Sequence, residues 1–165
     1  MSGTVIRNYA EDDYPAVREC FVELQEHERA LHPGKMAGNE VADRYLALMF
    51  ERCRIWAGQV FVADEDGRVI GFVCVWTRVV PEEPDEVPAP FAFISDLIVR
   101  SERRGSGIGH ALMQHAEQHA RAAGATSLRV CVLARNEGAY RLYRELGFSE
   151  LEVELEKSLG ANPVT

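Results

Sequence analysis

The sequence predicts a single α/β (α+β) domain, with a central mixed sheet packed against helices. Two observations carry this prediction. Apolar residues recur at helical spacing in four stretches and alternate or run together in six others. These interleave as strand, two helices, three strands, helix, strand, helix, strand, the order of one layered α/β unit. The 165 residues, 47% hydrophobic and 27% charged, suit one soluble core.

The elements follow in chain order. Thr4–Tyr9 alternates as a first strand. Glu11-Asp12-Asp13 is an acidic helix start, and Val17, Phe21 and Leu24 share a helical face that runs to about Ala30. His32-Pro33-Gly34 breaks that pattern. Val41, Tyr45, Leu48 and Met49 form one face of a second helix over about Glu40–Cys53. Gln59–Ala63 and Val69–Trp76 flank the turn Asp64-Glu-Asp-Gly67 as a β-hairpin. The proline-rich acidic segment Pro81–Pro90 cannot pair in a sheet and is a loop. Phe91–Val99 is the next strand. Ile108, Leu112, Ala116 and Ala123 line a helix ending at Gly124. Ser127–Leu133 is a strand and Glu137–Leu146 a helix stopped by Gly147. In Phe148–Glu156, Leu151, Val153 and Leu155 alternate with glutamates, which predicts a half-exposed final strand. The core spans about residues 4–156 of a single domain over 1–165, with 157–165 a frayed tail.

Composition narrows the function. The net charge of −8, from 26 acidic and 18 basic residues, offers no nucleic-acid footprint. No apolar run approaches the ~20 residues of a membrane span. The first residues lack the pattern of a secretory signal, so the expected location is cytoplasmic. Cys20, Cys53, Cys74 and Cys131 are scattered and read as reduced, mostly buried residues. His115 and His119 lie four apart without the His-Glu-x-x-His pattern, so the expectation is a wet helix face and no metal.

The chemistry is concentrated after the strand Phe91–Val99, in Arg100-Ser-Glu-Arg103-Arg104-Gly105-Ser106-Gly107-Ile108-Gly109. A strand, a glycine-rich turn with arginines and a helix start together form an anion site, because the first helical N–H groups lack intrahelical partners and the helix dipole favours negative charge. A nucleoside-triphosphate loop would need Gly-Lys-Ser/Thr, which is missing. A dinucleotide fingerprint fails at its third glycine, where His110 or Leu112 stands. The pattern that remains, Arg104-x-x-Gly107-x-Gly109, resembles the pyrophosphate loop of the GNAT superfamily of N-acetyltransferases. A second segment, Asn136-x-x-Ala139-x-x-x-Tyr143-x-x-x-Gly147-Phe148, is similar to that family's other motif and lies one strand further on.

The resemblance implies a mostly antiparallel sheet of about six to seven strands with about four helices, two strands splaying apart to form a slot for acetyl-CoA. Arg103, Arg104, Gly105, Ser106, Gly107, Ile108 and Gly109 would surround the pyrophosphate. Backbone groups of Leu97, Ile98 and Val99 would pair with the pantetheine arm as a strand edge would. Asn136 and Ala139 would contact the cofactor from the far side, and Tyr143 would approach the thioester sulfur. The residues themselves allow plainer roles: Tyr143 as core, and Asn136 as a helix N-cap. An amine acceptor is implied, and a homodimer is common in that family.

Acetyl transfer to an amine needs a deprotonated nucleophile, a stabilised oxyanion and a departing thiolate. An amine of pKa ~10 carries a handicap of about 4 kcal/mol at pH 7. Asp96, in the strand beside the slot, is the candidate base or cation-binding residue. Its alternative is a strand residue facing solvent or an ion-pair partner. Glu28, where the stripe of the first helix calls for an apolar residue, is a substrate-binding candidate or a residue that has reached solvent. The N–H of Ile98 is the candidate oxyanion donor. Tyr143 is the candidate acid, although a phenol is a weaker acid than a thiol by roughly 2 kcal/mol, so hydrogen bonding to the thiolate is the larger contribution. Two other functions fit the same turn: a non-catalytic acyl-CoA sensor and a nucleotide-binding interaction module.

Overall fold

A computed structural model describes residues 3–160. Among them, five strands form one sheet in the order β1-β2-β3-β4-β5. They are β1 (Thr4–Asn8), β2 (Gln59–Glu65), β3 (Arg68–Val79), β4 (Phe91–Val99) and β5 (Leu128–Val130). The first four pair antiparallel and β5 joins β4 in parallel. The helices are α1 (Tyr14–Leu31), α2 (Gly38–Ile55), α3 (Ile108–Ala122) and α4 (Glu137–Glu145), with 3-10 turns at Glu11–Asp13 and Ser101–Arg103.

Two apolar layers hold the sheet. On one face Val17, Cys20 and Phe21 of α1 and Ala42, Leu46 and Met49 of α2 pack on Val62, Phe72, Cys74 and Ile98. On the other, Ile108, Leu112, Met113 and Ala116 of α3 pack on Ala63, Ile70, Val73 and Ile94, joined by Tyr143 of α4. The stripe of α1 and most of that of α3 follow the sequence, Ala123 at the end of α3 being exposed. On α2 the buried face is Ala42, Leu46 and Met49, and Tyr45 and Leu48 of the expected face are exposed, because small Ala42 lets the helix lie close to the sheet on that side. Leu112 is 0% exposed. Leu112→Ala should therefore cost about 3 kcal/mol, seen as a fall of the thermal midpoint by roughly 6–12 °C.

Local chemistry sets the ends of the elements. Pro15 opens α1, where its missing N–H costs nothing. Arg7 ties the start of the fold together, with its guanidinium 2.7 Å from Asp13 and 2.8 Å from Asp64. Glu26 on α1 accepts from the Gly38 N–H at 2.7 Å and so caps α2 from the neighbouring helix.

The strand expected over Phe148–Glu156 is not formed. Residues 148–160 have no regular structure, and Leu151, Val153 and Leu155 are exposed. Alternation makes a strand only when a neighbouring strand supplies hydrogen bonds and a face to bury, and this segment packs on neither. The sheet thus has five strands rather than six or seven, and the strand expected over Ser127–Leu133 shrinks to three residues. The tail reading over Ala161–Thr165 lies outside the described residues. His115 and His119 do not make the wet face expected of them: both stand edge-on against Phe61, and burial lowers the His119 pKa. No helix among the described residues is long and apolar enough to cross a membrane.

Candidate active site

The site forms where β4 leaves β5. Pairing between them covers only Ala92↔Leu128, Phe93↔Arg129 and Ile94↔Val130. Beyond Ile94, β4 continues to Val99 along β3 alone, so one backbone edge of its second half is open. The two strands part as the slot requires.

A β-bulge marks the point of departure. Val75 stands opposite Ile94 and Cys74 opposite Asp96, which leaves Ser95 as an extra residue on β4. Ile94 therefore packs with the α3 layer, while Ile98 and the Asp96 partner Cys74 belong to the α1–α2 layer.

Asp96 is 5% exposed. It does not point outward as an ordinary strand residue would. Its Oδ1 accepts from the Tyr45 hydroxyl at 2.8 Å and its Oδ2 from the Ser95 hydroxyl at 2.6 Å. Burial raises its pKa above the usual carboxylate range, against the opposing pull of these two hydrogen bonds. The charge of Glu28 raises it further and that of Lys35 lowers it. Tyr45, which the helical pattern placed only on an apolar face, is the residue that the sequence did not reveal. Its ring stacks on Phe21 at 4.4 Å, which orients the hydroxyl toward β4. The one available signal was a hydroxyl-bearing ring among otherwise apolar residues on that helical face, since a tyrosine hydroxyl drawn partly out of water seeks a partner.

Tyr143, on α4, is 8% exposed and packs edge-on against Phe148, with ring centroids 5.7 Å apart. Burial pushes its pKa up, and the charges of Glu28 and Asp96 add to the effect. The structure thus gathers Tyr45, Asp96, Glu28 and Tyr143 into one electrostatic neighbourhood. Glu28 is not a solvent-facing end of the helix: it pairs with Lys35 at 2.6 Å and its side chain is 23% exposed.

The glycine turn lies at the far end of the open edge. Gly107 has φ 84° and caps α3 in the left-handed region, which an L side chain adopts only with strain. The Ala111 N–H bonds back to the Gly107 carbonyl, so the N–H groups of the first turn before it are available to a ligand. At Gly109, an added Cβ would stand 3.3 Å from Leu142, so this glycine lets α3 and α4 approach each other.

The arginines of the turn are engaged. Arg103 pairs with Glu65, and Arg104 Nε donates to the Val99 carbonyl at 3.1 Å, with its guanidinium 3.8 Å from Glu23. Arg100 pairs with Glu19 at 2.7 Å. Asn136 acts as an N-cap, its side chain accepting from the Ala139 N–H at 3.3 Å.

Along the open edge the ladder sets which groups face out. The Arg100 N–H donates to the Ile70 carbonyl, so alternation in this antiparallel pair turns the N–H and C=O of Ile98 toward Phe72. Those of Leu97 and Val99 face the open side, as the Arg104 bond to the Val99 carbonyl illustrates. Ile98 is thus held by β3, and Leu97 takes its place as an available N–H donor. Among the described residues no group of three or more His, Cys, Asp or Glu side chains is placed to hold a metal ion.

A mixed sheet with a parted β4 edge, a buried carboxylate beside it and a helix start at its end is the frame of the site. Residues 14–148 match the Acetyltransferase (GNAT) family, and the chain belongs to it. It is 36% identical over 96 residues to an uncharacterized N-acetyltransferase of Methanocaldococcus jannaschii, covering 56% of this chain and 40% of that protein. It is 33% identical over 91 residues to the L-2,4-diaminobutyric acid acetyltransferase of Nocardia farcinica, covering 55% of this chain and 44% of the relative. The chain thus spans less than half the length of these curated relatives. A tetramutant of the BH1408 protein from Bacillus halodurans shares the fold, with a TM-score of 0.81 at 23% identity over 94% of this chain and 99% of that one. The structure of AAC(6')-Iy with a bisubstrate analogue does so with a TM-score of 0.69 at 20% identity, over 97% of this chain and all (100%) of that one.

Proposed function

We propose that this protein is an N-acetyltransferase that moves acetyl from acetyl-CoA to a primary amine by direct attack in a ternary complex. The observation that carries the reading is the parting of β4 from β5 at Ile94, which leaves an open strand edge running from buried Asp96 to the free N–H groups of α3. The family membership and the names of relatives that acetylate amines support it.

The residues fit the group. The backbone N–H groups from Gly105 to Gly109 would hold the pyrophosphate. Arg103 and Arg104 lie beside them as counter-charge, although each is already shared with a glutamate. Leu97 and Val99 would pair with the pantetheine amides, with Ile98 fixing their strand from the β3 side. Asn136 and Ala139 would border the arm from α4. Bound acetyl-CoA supplies the activated thioester carbonyl.

The chain's own residues do the rest. Asp96 takes a proton from the acceptor ammonium, directly or through water, and its raised pKa brings its basicity closer to that task. Tyr45 and Ser95 hold the carboxylate in place. The Leu97 N–H faces the developing oxyanion. Tyr143, whose pKa is raised, gives up its proton less readily than a free phenol, so it stabilises the departing thiolate by hydrogen bonding rather than by full transfer.

Thiol release from acetyl-CoA, measured across a panel of primary amines, tests the reading. Binding of acetyl-CoA without turnover of any amine would instead support an acyl-CoA sensor. Tyr143→Phe should lower kcat about tenfold, a loss of one transition-state hydrogen bond of ~1.4 kcal/mol, with little change in acetyl-CoA affinity. Unchanged kcat would take Tyr143 out of the chemistry.

A further inference from the structure

Lys35 lies in the linker between α1 and α2, and that linker is pinned. The Lys35 N–H donates to the His32 carbonyl at 3.1 Å, Gln25 Nε2 donates to the Met36 carbonyl at 2.9 Å, and Glu26 caps the next helix at Gly38. The loop so held turns the Lys35 ammonium back onto α1, 2.6 Å from Glu28 Oε2, with the two side chains 31% and 23% exposed. This cation is chemically singular. The sequence has lysine only at positions 35 and 157, against sixteen arginines. A compact ammonium stands here in a chain whose basic side chains, Lys157 apart, otherwise carry the planar guanidinium of arginine, and an ammonium is the group that a protonated alkylamine presents.

The pair also lies within reach of the site. The charge of Glu28 acts on Tyr45, Asp96 and Tyr143, and that of Lys35 acts on Asp96 in the opposite sense. If Lys35 left without a replacement, Glu28 would become a second bare carboxylate facing Asp96, an unfavourable pairing of like charges.

We propose that Lys35 is a place-holder, its ammonium occupying on Glu28 the seat of a second cationic group of the acceptor. The site then selects diamines or polyamines, whose further ammonium displaces Lys35 while the reactive amine meets Asp96. This rests on the acetyl-transfer reading of the site. The exchange swaps one ammonium for another on the same carboxylate and leaves Glu28 paired throughout. A monoamine has nothing to offer Glu28 and gains nothing from the seat.

The test compares 1,4-diaminobutane with butylamine, which share a reactive amine and differ in the second ammonium. Thiol release is followed for the wild type, Lys35→Met, Lys35→Arg and Glu28→Gln, with thermal midpoint and acetyl-CoA affinity as checks on folding. The wild type should prefer the diamine in kcat/KM. Lys35→Met should lower the ratio of diamine KM to butylamine KM about fivefold, near 1 kcal/mol, through loss of the internal competitor. Lys35→Arg should keep the wild-type ratio, and Glu28→Gln should erase the preference. Raised salt should shrink the difference, because the contacts are ionic. An unchanged ratio in Lys35→Met, or a wild type indifferent to the second ammonium, overturns the proposal. Turnover of other primary amines with neither of these two accepted overturns the diamine assignment and leaves acetyl transfer standing. Silence across the whole amine panel with acetyl-CoA bound removes both.

Discussion

Gly107→Asp is expected to take acetyl-CoA binding below detection while the domain stays folded. Two effects act together. At φ 84° the new side chain adopts a left-handed backbone that costs an L residue about 1–2 kcal/mol, which shifts the loop away from its present shape. The larger effect is charge. A carboxylate at the N-cap of α3 takes up the free N–H groups and the positive end of the dipole, the features that would otherwise receive a phosphate, and it repels that phosphate. Aspartate is a favourable N-cap, and no atom beyond the chain neighbours lies within 4 Å of the added Cβ. The helix therefore persists and the loss falls on the ligand. Gly107→Ala separates the two effects, since it brings the strain without the charge and should weaken binding by roughly tenfold, the strain alone. Calorimetry reads both variants. Ordinary affinity in Gly107→Asp would mean that the α3 start does not hold the phosphates.

Asp96→Asn is expected to lower kcat by about 100-fold, within the range for loss of a general base. It should also raise stability at neutral pH. The sign follows from the direction of the shift. Folding raises the carboxyl pKa, so protonation favours the folded state. The contribution is fully present below the ordinary aspartate value near ~3.9 and is lost as pH rises through the folded value. At pH 7 the buried charge is a burden that asparagine lifts, because its amide can still accept from Tyr45 or Ser95. Thermal denaturation should show a gain of about 2–4 °C for each kcal/mol recovered. The same titration should give the wild type an acid limb in kcat/KM, with activity falling as pH drops through the raised value, and the variant should lose that limb. A variant that is slower but no more stable, with the limb intact, would place the base elsewhere.

Much of the fold was legible because its causes are local. Helical stripes, the Asp64–Gly67 turn, the helix stops at Gly124 and Gly147 and the glycine turn before α3 are written in consecutive residues. What escaped depends on residues far apart. The alternation of Leu151, Val153 and Leu155 carries no information about whether a neighbouring strand receives it. Tyr45 shares a helical face with Leu48 and Met49, and only the packing of α2 on β4 turns its hydroxyl into a partner of Asp96, 51 positions away. Arg103 and Arg104 look like free phosphate ligands until Glu65 and Glu23 arrive from β2 and α1. In the site, the type of each candidate was readable. Which backbone groups face the open edge was not, because the bulge and the β3 ladder decide between Leu97 and Ile98.

The bulge at Ser95 has a consequence for how such a site can change. The two halves of β4 behave like two gears engaged one tooth out of step, the first meshing with α3 and the second carrying Asp96 toward α2. Were Ser95 to take an ordinary place in the alternation instead of standing out as an extra residue, Asp96 would share the face of Ile94 and lie on the α3 side, with every catalytic side chain still in the sequence. The acid is therefore placed by a count of residues, and a deletion of Ser95 would leave Asp96 opposite Cys74 while removing the bulge and the hydroxyl that holds Oδ2.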